Sequence, residues 1–351
     1  MSSVDRRQFL GLAAAALAGC AAPGAGQGER ELVRIGIGSC TNQAQPQPLW
    51  NTVLADRPGL FIFGGDNVYA PQPFTIAKLK QAYAVEAAVP EFARLRHAMP
   101  HMAIWDDHDY GKNDGGAEFE HKQASKEAFL EFWGAPADDT RRTREGIYDA
   151  RLFGPPGRRV QVIALDTRWF RSPWKITDVR DQPGRERYQP DSDPAKTMLG
   201  AAQWRWLEEQ LRQPADLRLL VSGVQVVTEG HGWERWGNFP LERQRLFDTI
   251  ARTRAEGVVL LSGDRHIGAI YREAQGAPYP MYELTSSGVT HTWLDNKEAG
   301  PNRVGDPFTE LHYGLVEIDW PGRRVSLQLK DIRGEARRTQ SIAFDELKAR
   351  T

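Results

Sequence analysis

Two stretches, LFIFGGDNVY at residues 60–69 and MAIWDDHDYG at residues 102–111, share one pattern. Each begins with a continuous apolar run, which is typical of a strand buried on both faces. Each run then ends abruptly in polar residues, namely Asp66 and Tyr69 in the first stretch and Asp106, Asp107, His108 and Asp109 in the second. The pattern predicts buried strands whose carboxyl ends carry a polar site.

Further apolar runs along the chain end in the same way. VRIGIGSC at 33–40 ends in Cys40, and VVLL at 258–261 is followed by Asp264 and His266. VQVIAL at 160–165 and LRLLV at 217–221 are followed by other polar residues, Asp166, Arg168, Ser222 and Gln225. Because so many strand ends carry such side chains, we expect them to converge on one edge of a sheet.

Helical patterns separate these runs, at about residues 49–55, 76–97, 118–133, 201–211 and 241–256. Strands that alternate with helices predict an α/β fold with a mostly parallel sheet. Beyond residue 268 the segments MYELTSS, HYGLVEIDW and RVSLQLKDI predict a second, more antiparallel sheet packed on the first. The stretch 134–151 is predicted to be a long loop at the rim of the site. No linker divides residues 31–351, which predicts one domain.

The composition describes an ordinary globular protein. The chain has 351 residues, a formal net charge of −1, 40% hydrophobic residues and 26% charged residues. A near-neutral chain without a long basic run lacks the electrostatic footprint of a nucleic-acid-binding protein. The composition therefore favours a small-molecule partner.

The N-terminus is typical of an export signal. Arg6 and Arg7 form a twin-arginine pattern before a short apolar stretch, and Leu17-Ala18-Gly19-Cys20 resembles a bacterial lipobox. We predict a signal at residues 1–20, a flexible tether at 21–30, export by the twin-arginine translocase and a periplasmic or cell-envelope location with a lipid anchor at Cys20. Ala21 in place of Asp slightly favours the outer membrane. An alanine-rich signal peptide that happens to contain a cysteine is the alternative.

The residues at the predicted strand ends form a candidate metal site: Cys40, Asp66, Tyr69, Asp107, Asp264 and His266. Packed carboxylates repel one another, so such a set needs a cation to compensate its charge. Taken singly, each aspartate is as readily explained as a turn residue, and Cys40 as a small buried apolar residue. Five strand ends with the same feature favour the metal site.

These residues resemble a known family. Gly65-Asp66-Asn67-Val68-Tyr69 is similar to the GDxxY element of purple acid phosphatases, within the wider calcineurin-like metallophosphoesterases. GDNVYA, WDDHDYGKND, LDTRWFRSP and LSGDRHIGAI together resemble the alkaline phosphatase D, or PhoD-like, branch, from about residue 35 to 313. The resemblance implies a four-layer α/β/β/α sandwich, in which helices flank two mixed β-sheets.

The resemblance also implies the metals and their ligands. An Fe³⁺ site would use Cys40, Asp66, Tyr69 and His266, because thiolate and phenolate stabilise ferric iron. A Ca²⁺ site would share Asp66, with Asp107 where many relatives have Asn and Asp264 where they have His; an oxygen-rich set suits calcium. Other divalent metals could replace either ion. Gln225 lies near the place of a further histidine ligand, and Asn67, Asp106 and Asp109 are candidates for added ligands or supporting residues.

The implied activity is hydrolysis of phosphate monoesters or diesters, in which a metal-bound hydroxide attacks phosphorus in line. His108 would contact the phosphate or protonate the leaving group, unless it is only a polar turn residue. Arg168 offers a planar fork for phosphate, or else forms a salt bridge. Small-molecule or lipid esters are the expected substrates, and Trp169, Trp233, Trp236 and Trp293 are candidates for a pocket or for core packing.

Two other functions stay open. A metal-dependent envelope lipoprotein could bind phosphate or another ligand without turnover. A serine hydrolase is the second alternative, but the chain has no GxSxG motif and the residues around Ser222 lack that pattern.

Overall fold

The structure is a computed structural model and describes residues 30–349. The predicted signal, all but the last residue of the predicted tether and Cys20 lie outside this range. Among the described residues, no helix is both long enough and apolar enough to cross a membrane.

Two six-stranded mixed sheets form the centre of the protein. In chain order, the strands are β1 (Arg34–Gly38), β2 (Leu60–Gly64), β3 (His101–Ile104), β4 (Asp149–Phe153), β5 (Val160–Ala164), β6 (Leu217–Ser222), β7 (Val258–Ser262), β8 (Gly268–Glu273), β9 (Met281–Ser286), β10 (His312–Asp319), β11 (Arg324–Asp331) and β12 (Ala336–Ala343).

The first sheet has the order β12-β11-β10-β1-β2-β3, in which β1, β2 and β3 are parallel and β10 to β12 are antiparallel. The second sheet has the order β4-β5-β6-β7-β9-β8, with β5, β6, β7 and β9 parallel and the edge strands β4 and β8 antiparallel. The two sheets contact each other through β8 and β9 on one side and β10 and β11 on the other. Strands β2, β5, β6, β7 and β9 are buried along their whole length, as their apolar runs predict.

Helices flank both sheets. They are α1 (Leu49–Asp56), α2 (Ile76–Ala87), α3 (Pro90–Ala98), α4 (Asp107–Tyr110), α5 (Lys122–Phe132), α6 (Gly200–Leu211) and α7 (Pro240–Thr253). Trp50 of α1 packs edge-on against Phe61 and Phe63 of the first sheet, with ring centroids 5.5 and 5.9 Å apart. On the second sheet, Gln161 of β5 donates a hydrogen bond to a carbonyl of α6. The two mixed sheets and their flanking helices confirm the predicted α/β fold class.

Three sequence predictions were wrong in detail. The helix predicted at 76–97 is two helices, because Pro90 disfavours a helical conformation at the residue before it and begins α3. The predicted loop at 134–151 contains a 3₁₀ turn and the start of β4. The C-terminal strands do not form a sheet of their own, because β8 and β9 extend the second sheet while β10 to β12 complete the first.

This division decides where the site lies. Strands β1, β2 and β3 deliver their polar ends from the first sheet, whereas β7 and β9 deliver theirs from the second. The polar ends therefore meet where the two packed sheets face each other, rather than along one sheet edge.

Candidate metal centre

The backbone of the candidate ligands is strained. Cys40, Asp66, Asp264 and His266 all have positive φ, at 61, 51, 70 and 54°. Residues with a Cβ rarely adopt this left-handed conformation, which costs on the order of 1 kcal/mol or more and is concentrated at functional sites. The tight turns point these side chains back across the ends of their strands.

Close approach of the two sheets brings these turns together. A Cβ at Gly263, just after β7, would lie 2.6 Å from Ser39 Oγ and 2.8 Å from the carbonyl oxygen of Gly64. Only glycine therefore fits at this position without displacement of the backbone. The turn after β1 is also fixed to the turn after β2, because the backbone N–H of Thr41 donates to the carbonyl of Asp66 at 2.8 Å.

One group of donors is chemically mixed, and we call it the thiol group: Cys40, Asp66, Tyr69 and His266. The Cys40 Sγ lies 3.5 Å from Asp66 Oδ2, and the Tyr69 hydroxyl donates to the same oxygen at 3.3 Å. The Tyr69 hydroxyl also lies 3.4 Å from His266 Nε2. One ligand atom from each of Cys40, Asp66 and His266 falls within 4.8 Å of the others.

A second group is rich in oxygen, and we call it the carboxylate group. Ligand atoms of Asp66, Asp106, Asp107 and Asp264 lie within 4.8 Å of one another, and His108 also comes this close to Asp66 and Asp107. Asp66 belongs to both groups. Within the described residues, the buried atoms Asp107 Oδ1 and Asp106 Oδ2 have no hydrogen-bond partner.

Burial and mutual repulsion make Cys40, Asp66, Tyr69 and Asp264 poor anions in the absence of a cation. Burial, followed by the charge of Asp107, raises the pKa of Asp66 well above its usual range. Burial and the Asp66 charge likewise raise the pKa values of Cys40 and Tyr69, and burial with the charge of Asp106 raises that of Asp264. Burial and the neighbouring His291 lower the pKa of His266 to about 3, so its imidazole is neutral. A neutral imidazole beside carboxylates whose negative charge is not compensated is suited to metal binding.

The donors fit two different cations. Thiol, phenol, imidazole and a shared carboxylate suit a transition metal, whereas carboxylates alone suit a hard cation. The unpartnered Asp107 oxygen supports this fit, since a buried acceptor without a donor is costly unless a ligand uses it. The structure therefore brings all six predicted ligands into one place, although their binding of metal stays a prediction.

His108 lies at the open side of this cluster. Its ring packs on the Tyr69 ring at a centroid distance of 4.1 Å, and its Nε2 lies 3.9 Å from Asp107 Oδ1. Its backbone N–H donates to Asp66 Oδ1 at 3.2 Å. The side chain is about one-third exposed, so its imidazole can reach a bound substrate.

Arg168 lies behind the cluster and is fully buried. Its Nε donates to Asp106 Oδ1 at 2.7 Å, and its two terminal nitrogens form a fork with Glu234 at 2.7 and 2.8 Å. The guanidinium donors are thus occupied by protein acceptors. These contacts favour a positioning role for Arg168 over the predicted contact with phosphate.

The other candidates from the sequence lie around the site. Asp109 accepts from the side-chain amide of Asn67 at 2.5 Å and from the backbone of Asp106 at 2.7 Å, so this pair braces the turn after β3. Gln225 is bound to Thr285, Tyr271 and His231 in a buried network and belongs to neither ligand group. A ligand role for Asn67 or Gln225 stays a prediction.

Ser287 and His291 are among the site residues that were missed from the sequence. The Ser287 hydroxyl accepts from the His266 backbone N–H at 2.7 Å and lies 3.0 Å from Cys40 Sγ. The His291 ring packs edge-on against His266, with centroids 4.4 Å apart, and against Tyr69 at 5.2 Å. Both residues follow the buried strand β9, so the expectation that polar site residues follow buried strands would also have indicated them.

The four tryptophans divide into two pairs. Trp236 donates to Ser222 Oγ inside the protein, and Trp169 is stacked on Trp105, so both belong to the core. Trp233 and Trp293 pack edge-on with centroids 6.0 Å apart, and the backbone N–H of Trp293 donates to the His266 carbonyl. Only the second pair is attached to the segments that form the site.

Comparisons with known proteins bear on the family and the fold. The family model described as PhoD-like phosphatase matches residues 35–313. Alkaline phosphatase D of Bacillus subtilis (strain 168) is 26% identical over 194 residues, which cover 48% of this chain and 31% of that protein. The chain thus matches about a third of the length of this curated relative. A solved structure entitled "Structure of PhoD" superposes with a TM-score of 0.71 at 15% identity, covering 90% of this chain and 69% of that one, and shows the same fold.

Proposed function

Because the chain belongs to the PhoD-like phosphatase family, we propose that it is a metal-dependent hydrolase of phosphate esters. The observation that carries the proposal is the position of Asp66 in both ligand groups, next to a buried Asp107 oxygen without a donor. A carboxylate shared by two donor sets is the arrangement that a pair of cations requires.

The two groups would hold different ions. Cys40, Tyr69, His266 and Asp66 would hold the first ion, for which Fe³⁺ is proposed because thiolate and phenolate donate charge. Asp66, Asp107 and Asp264 would hold the second, for which Ca²⁺ is proposed because all donors are oxygen. When bound, such ions acidify water and neutralise the charge that develops on phosphoryl oxygens.

The surrounding residues would act on the substrate and on the shape of the site. His108 would donate a hydrogen bond to a phosphoryl oxygen or a proton to the departing alkoxide, since its imidazole is the exposed ring beside Asp107. Arg168 would hold Asp106 in place at the back of the carboxylate group. Substrates are proposed to be small-molecule or lipid phosphate esters, whether monoesters or diesters.

Location is a further part of the proposal. Twin-arginine export and acylation of Cys20 would place residues 31–351, as one domain, in the periplasm or at the cell envelope. Ala21 in place of Asp slightly favours the outer membrane. Labelling cells with radioactive palmitate tests the anchor, with Cys20→Ala as the matched control. Label on the wild type alone supports the anchor, and label on neither chain refutes it.

The experiment that tests the activity combines metal analysis with turnover. The exported protein, purified without chelator, is analysed for iron and calcium and assayed on an aryl phosphomonoester and a bis-aryl phosphodiester. Cys40→Ala is compared with Ser125→Ala, which changes a buried residue of α5 away from both ligand groups. We expect stoichiometric iron and calcium in the wild type, with iron and activity both reduced in Cys40→Ala alone.

Other outcomes decide between the open alternatives. Metal without hydrolysis of either ester would favour a binding lipoprotein. Protein without stoichiometric metal would refute the centre, and full metal and activity in Cys40→Ala would show that Cys40 is only a core residue. The ratio of the two rates in the wild type distinguishes a monoesterase from a diesterase.

A further inference from the structure

A groove of about 410 Å³ lies next to the candidate metal centre. It is lined by His291, Thr292, Leu294, Glu310, Leu311 and Ile332. Its volume falls within the range of roughly 300–1,000 Å³ that is usual for small-molecule sites. Neither of the two ligand groups forms its wall, so the groove is separate from the proposed metal sites.

His291 connects the groove to the cluster. The same ring that lines the groove packs against both His266 and Tyr69, at centroid distances of 4.4 and 5.2 Å. The segment before it is fixed to the ligand turn, because Thr290 Oγ1 donates to the Cys40 carbonyl at 2.9 Å. The cluster and the groove therefore share the His291 ring as a common wall.

Hydrogen bonds hold the walls of the groove in place. The Thr292 hydroxyl donates to the carbonyl of Thr309 at 2.5 Å, which ties the His291 segment to the segment that carries Glu310 and Leu311. The Thr52 hydroxyl donates to the carbonyl of Ile332 at 2.7 Å, which ties the third wall to α1. The groove is thus formed before any ligand binds, so that binding costs little ordering of the protein.

The character of the walls indicates what the groove takes. Leu294 is 70% exposed and Ile332 is 44% exposed, and both face solvent from the groove without apolar cover. Trp293, next to Leu294, is also exposed. Clustered exposed apolar side chains beside a polar site are typical of a binding surface. Glu310 also lines the groove, and its carboxylate would repel a phosphate group. A phosphate ester is therefore expected to bind with its phosphate at the metal centre rather than in the groove.

From these observations we propose that the groove binds the alkyl chain of a phosphate ester whose phosphate sits at the metal centre. This inference rests on the proposed hydrolase function and adds its substrate class: esters with an apolar alcohol group are preferred over esters with a small one. An extended alkyl chain would bury Leu294 and Ile332, and each buried methylene strengthens binding.

Two paired probes test the inference. The first is a pair of 4-nitrophenyl phosphodiesters whose second ester group is methyl or octyl, assayed for kcat/KM. The second is a pair of non-hydrolysable phosphonates, methylphosphonate and octylphosphonate, whose binding is measured by calorimetry. Wild type is compared with Leu294→Asn, Ile332→Asn and the control Leu241→Asn, which changes an exposed leucine of α7 outside the groove. All three positions are exposed, so the variants are expected to fold.

We expect the wild type and Leu241→Asn to favour the octyl compound by at least about tenfold in both measurements. Leu294→Asn and Ile332→Asn are expected to lose most of this preference while they keep the activity on the methyl ester. Equal rates and affinities for methyl and octyl compounds in the wild type would overturn the inference and leave the hydrolase function intact. A preference that survives in both groove variants would also overturn it, whereas no turnover of either diester or of an aryl phosphomonoester would refute the proposed function itself.

Discussion

Asp106 and Asp107 are neighbours in the chain but lie in different surroundings. Asp106 is paired with the buried guanidinium of Arg168, which also forms a fork with Glu234. Asp107 has one oxygen bound by the uncharged backbone N–H of Asp114 at 2.8 Å. Each carboxylate has a second oxygen without a partner among the described residues, so the two differ in what binds the first oxygen. Arg168 ties Asp106 directly to the protein scaffold, whereas Asp107 forms no ion pair with an arginine among the described residues.

The difference shows that, in one run of acidic residues, one carboxylate can support the structure while its neighbour is a candidate ligand. Burial raises the pKa of Asp106 to about 7 despite Arg168, which shows how strongly this position disfavours a charge. For Asp107, burial acts in the same direction, but His108, Arg168 and the Asp114 N–H outweigh it and lower its pKa to about 2. Asp107 is thus an anion held ready beside Asp66, at the place where a cation would bind.

The largest expected effect is at Asp66, which belongs to both ligand groups. Asp66→Asn should lose bound metal and reduce the rate of ester hydrolysis by about a thousandfold or more, because metal ions supply several kcal/mol of transition-state stabilisation. In metal-free protein the same change should leave the free energy of unfolding unchanged or raise it, because a repelling carboxylate is removed. Elemental analysis, ester hydrolysis and urea unfolding in chelator measure the three quantities.

Asp345→Asn is the matched control for Asp66→Asn, since this carboxylate is exposed and lies outside both groups. It should change neither metal content nor rate. An Asp66→Asn protein with full metal and near wild-type activity would remove the basis for treating Asp66 and Asp107 as ligands.

A loss of stability is the next largest effect and should appear at Asp106 instead. Asp106→Ala would remove one partner of the buried Arg168, which keeps its fork with Glu234, so we expect a cost of about 2–3 kcal/mol for the donor left unpaired. Urea unfolding of the metal-free protein measures this free energy without interference from metal binding.

The exposed pair of Arg34 and Glu317, with a nitrogen–oxygen distance of 3.0 Å, provides the control for this measurement. Arg34→Ala should cost no more than about 1 kcal/mol, as exposed pairs do. If Asp106→Ala lowered the free energy of unfolding as little as Arg34→Ala, Asp106 would not be a scaffold residue, and the distinction drawn between Asp106 and Asp107 would be wrong.

Glu86 is a third kind of buried carboxylate, which among residues 30–349 forms no ion pair and belongs to no cluster of metal-ligating side chains. Burial raises its pKa to about 8 from an ordinary 4.5, although a hydrogen bond from Gln47 at 2.6 Å opposes the rise. The folded state therefore holds a proton that the unfolded state releases above pH 4.5, so stability should fall as pH rises from about 4.5 to 8.

Glu86→Gln should flatten this pH dependence and stabilise the protein at pH 8 by about a few kcal/mol relative to the wild type. Thermal or urea unfolding across pH 4 to 9 measures the difference between the two proteins. Glu120→Gln, which changes an exposed carboxylate, should follow the wild-type curve. Parallel curves for Glu86→Gln and the wild type would mean that Glu86 is ionised in the folded protein.

Much of the fold could be predicted from the sequence because burial on both faces leaves a local signature. The runs LFIF and VVLL are central strands of different sheets, and each ends in the predicted polar residues. The division of the strands between two sheets could not be predicted, because the local sequence of a strand such as β7 or β10 does not show which other strand it pairs with. The break before Pro90 had a local signal, which the apolar periodicity through 76–97 obscured.

The candidate site shows the same limit. Strand ends identified Cys40, Asp66, Asp264 and His266, whose positive φ angles confirm sharp turns there. Asp106 and Asp107 were separated only by the family resemblance, because the contact that distinguishes them is made by Arg168, 62 residues from Asp106 in the chain. Ser287 also follows a buried strand, but a serine is not a typical metal ligand, so its contacts with Cys40 and His266 became visible only in the structure.

Ser287 supplies the smallest of the expected effects. Ser287→Ala would leave the His266 backbone N–H without its acceptor and free the Cys40 sulfur, so both donors should be held less precisely. Changes to groups that orient metal ligands typically cost about 10- to 100-fold in metal affinity or activity, and we expect about tenfold here. Competition with a chelator measures metal affinity, and the split of kcat from KM shows whether substrate binding is spared. Ser286→Ala, which removes a buried hydroxyl bound to the Ile37 carbonyl, is the matched control and should leave metal affinity unchanged. Equal affinities for Ser287→Ala and Ser286→Ala would show that the residues between the sheets do not position the ligands, and the site would then depend on the strand-end turns alone.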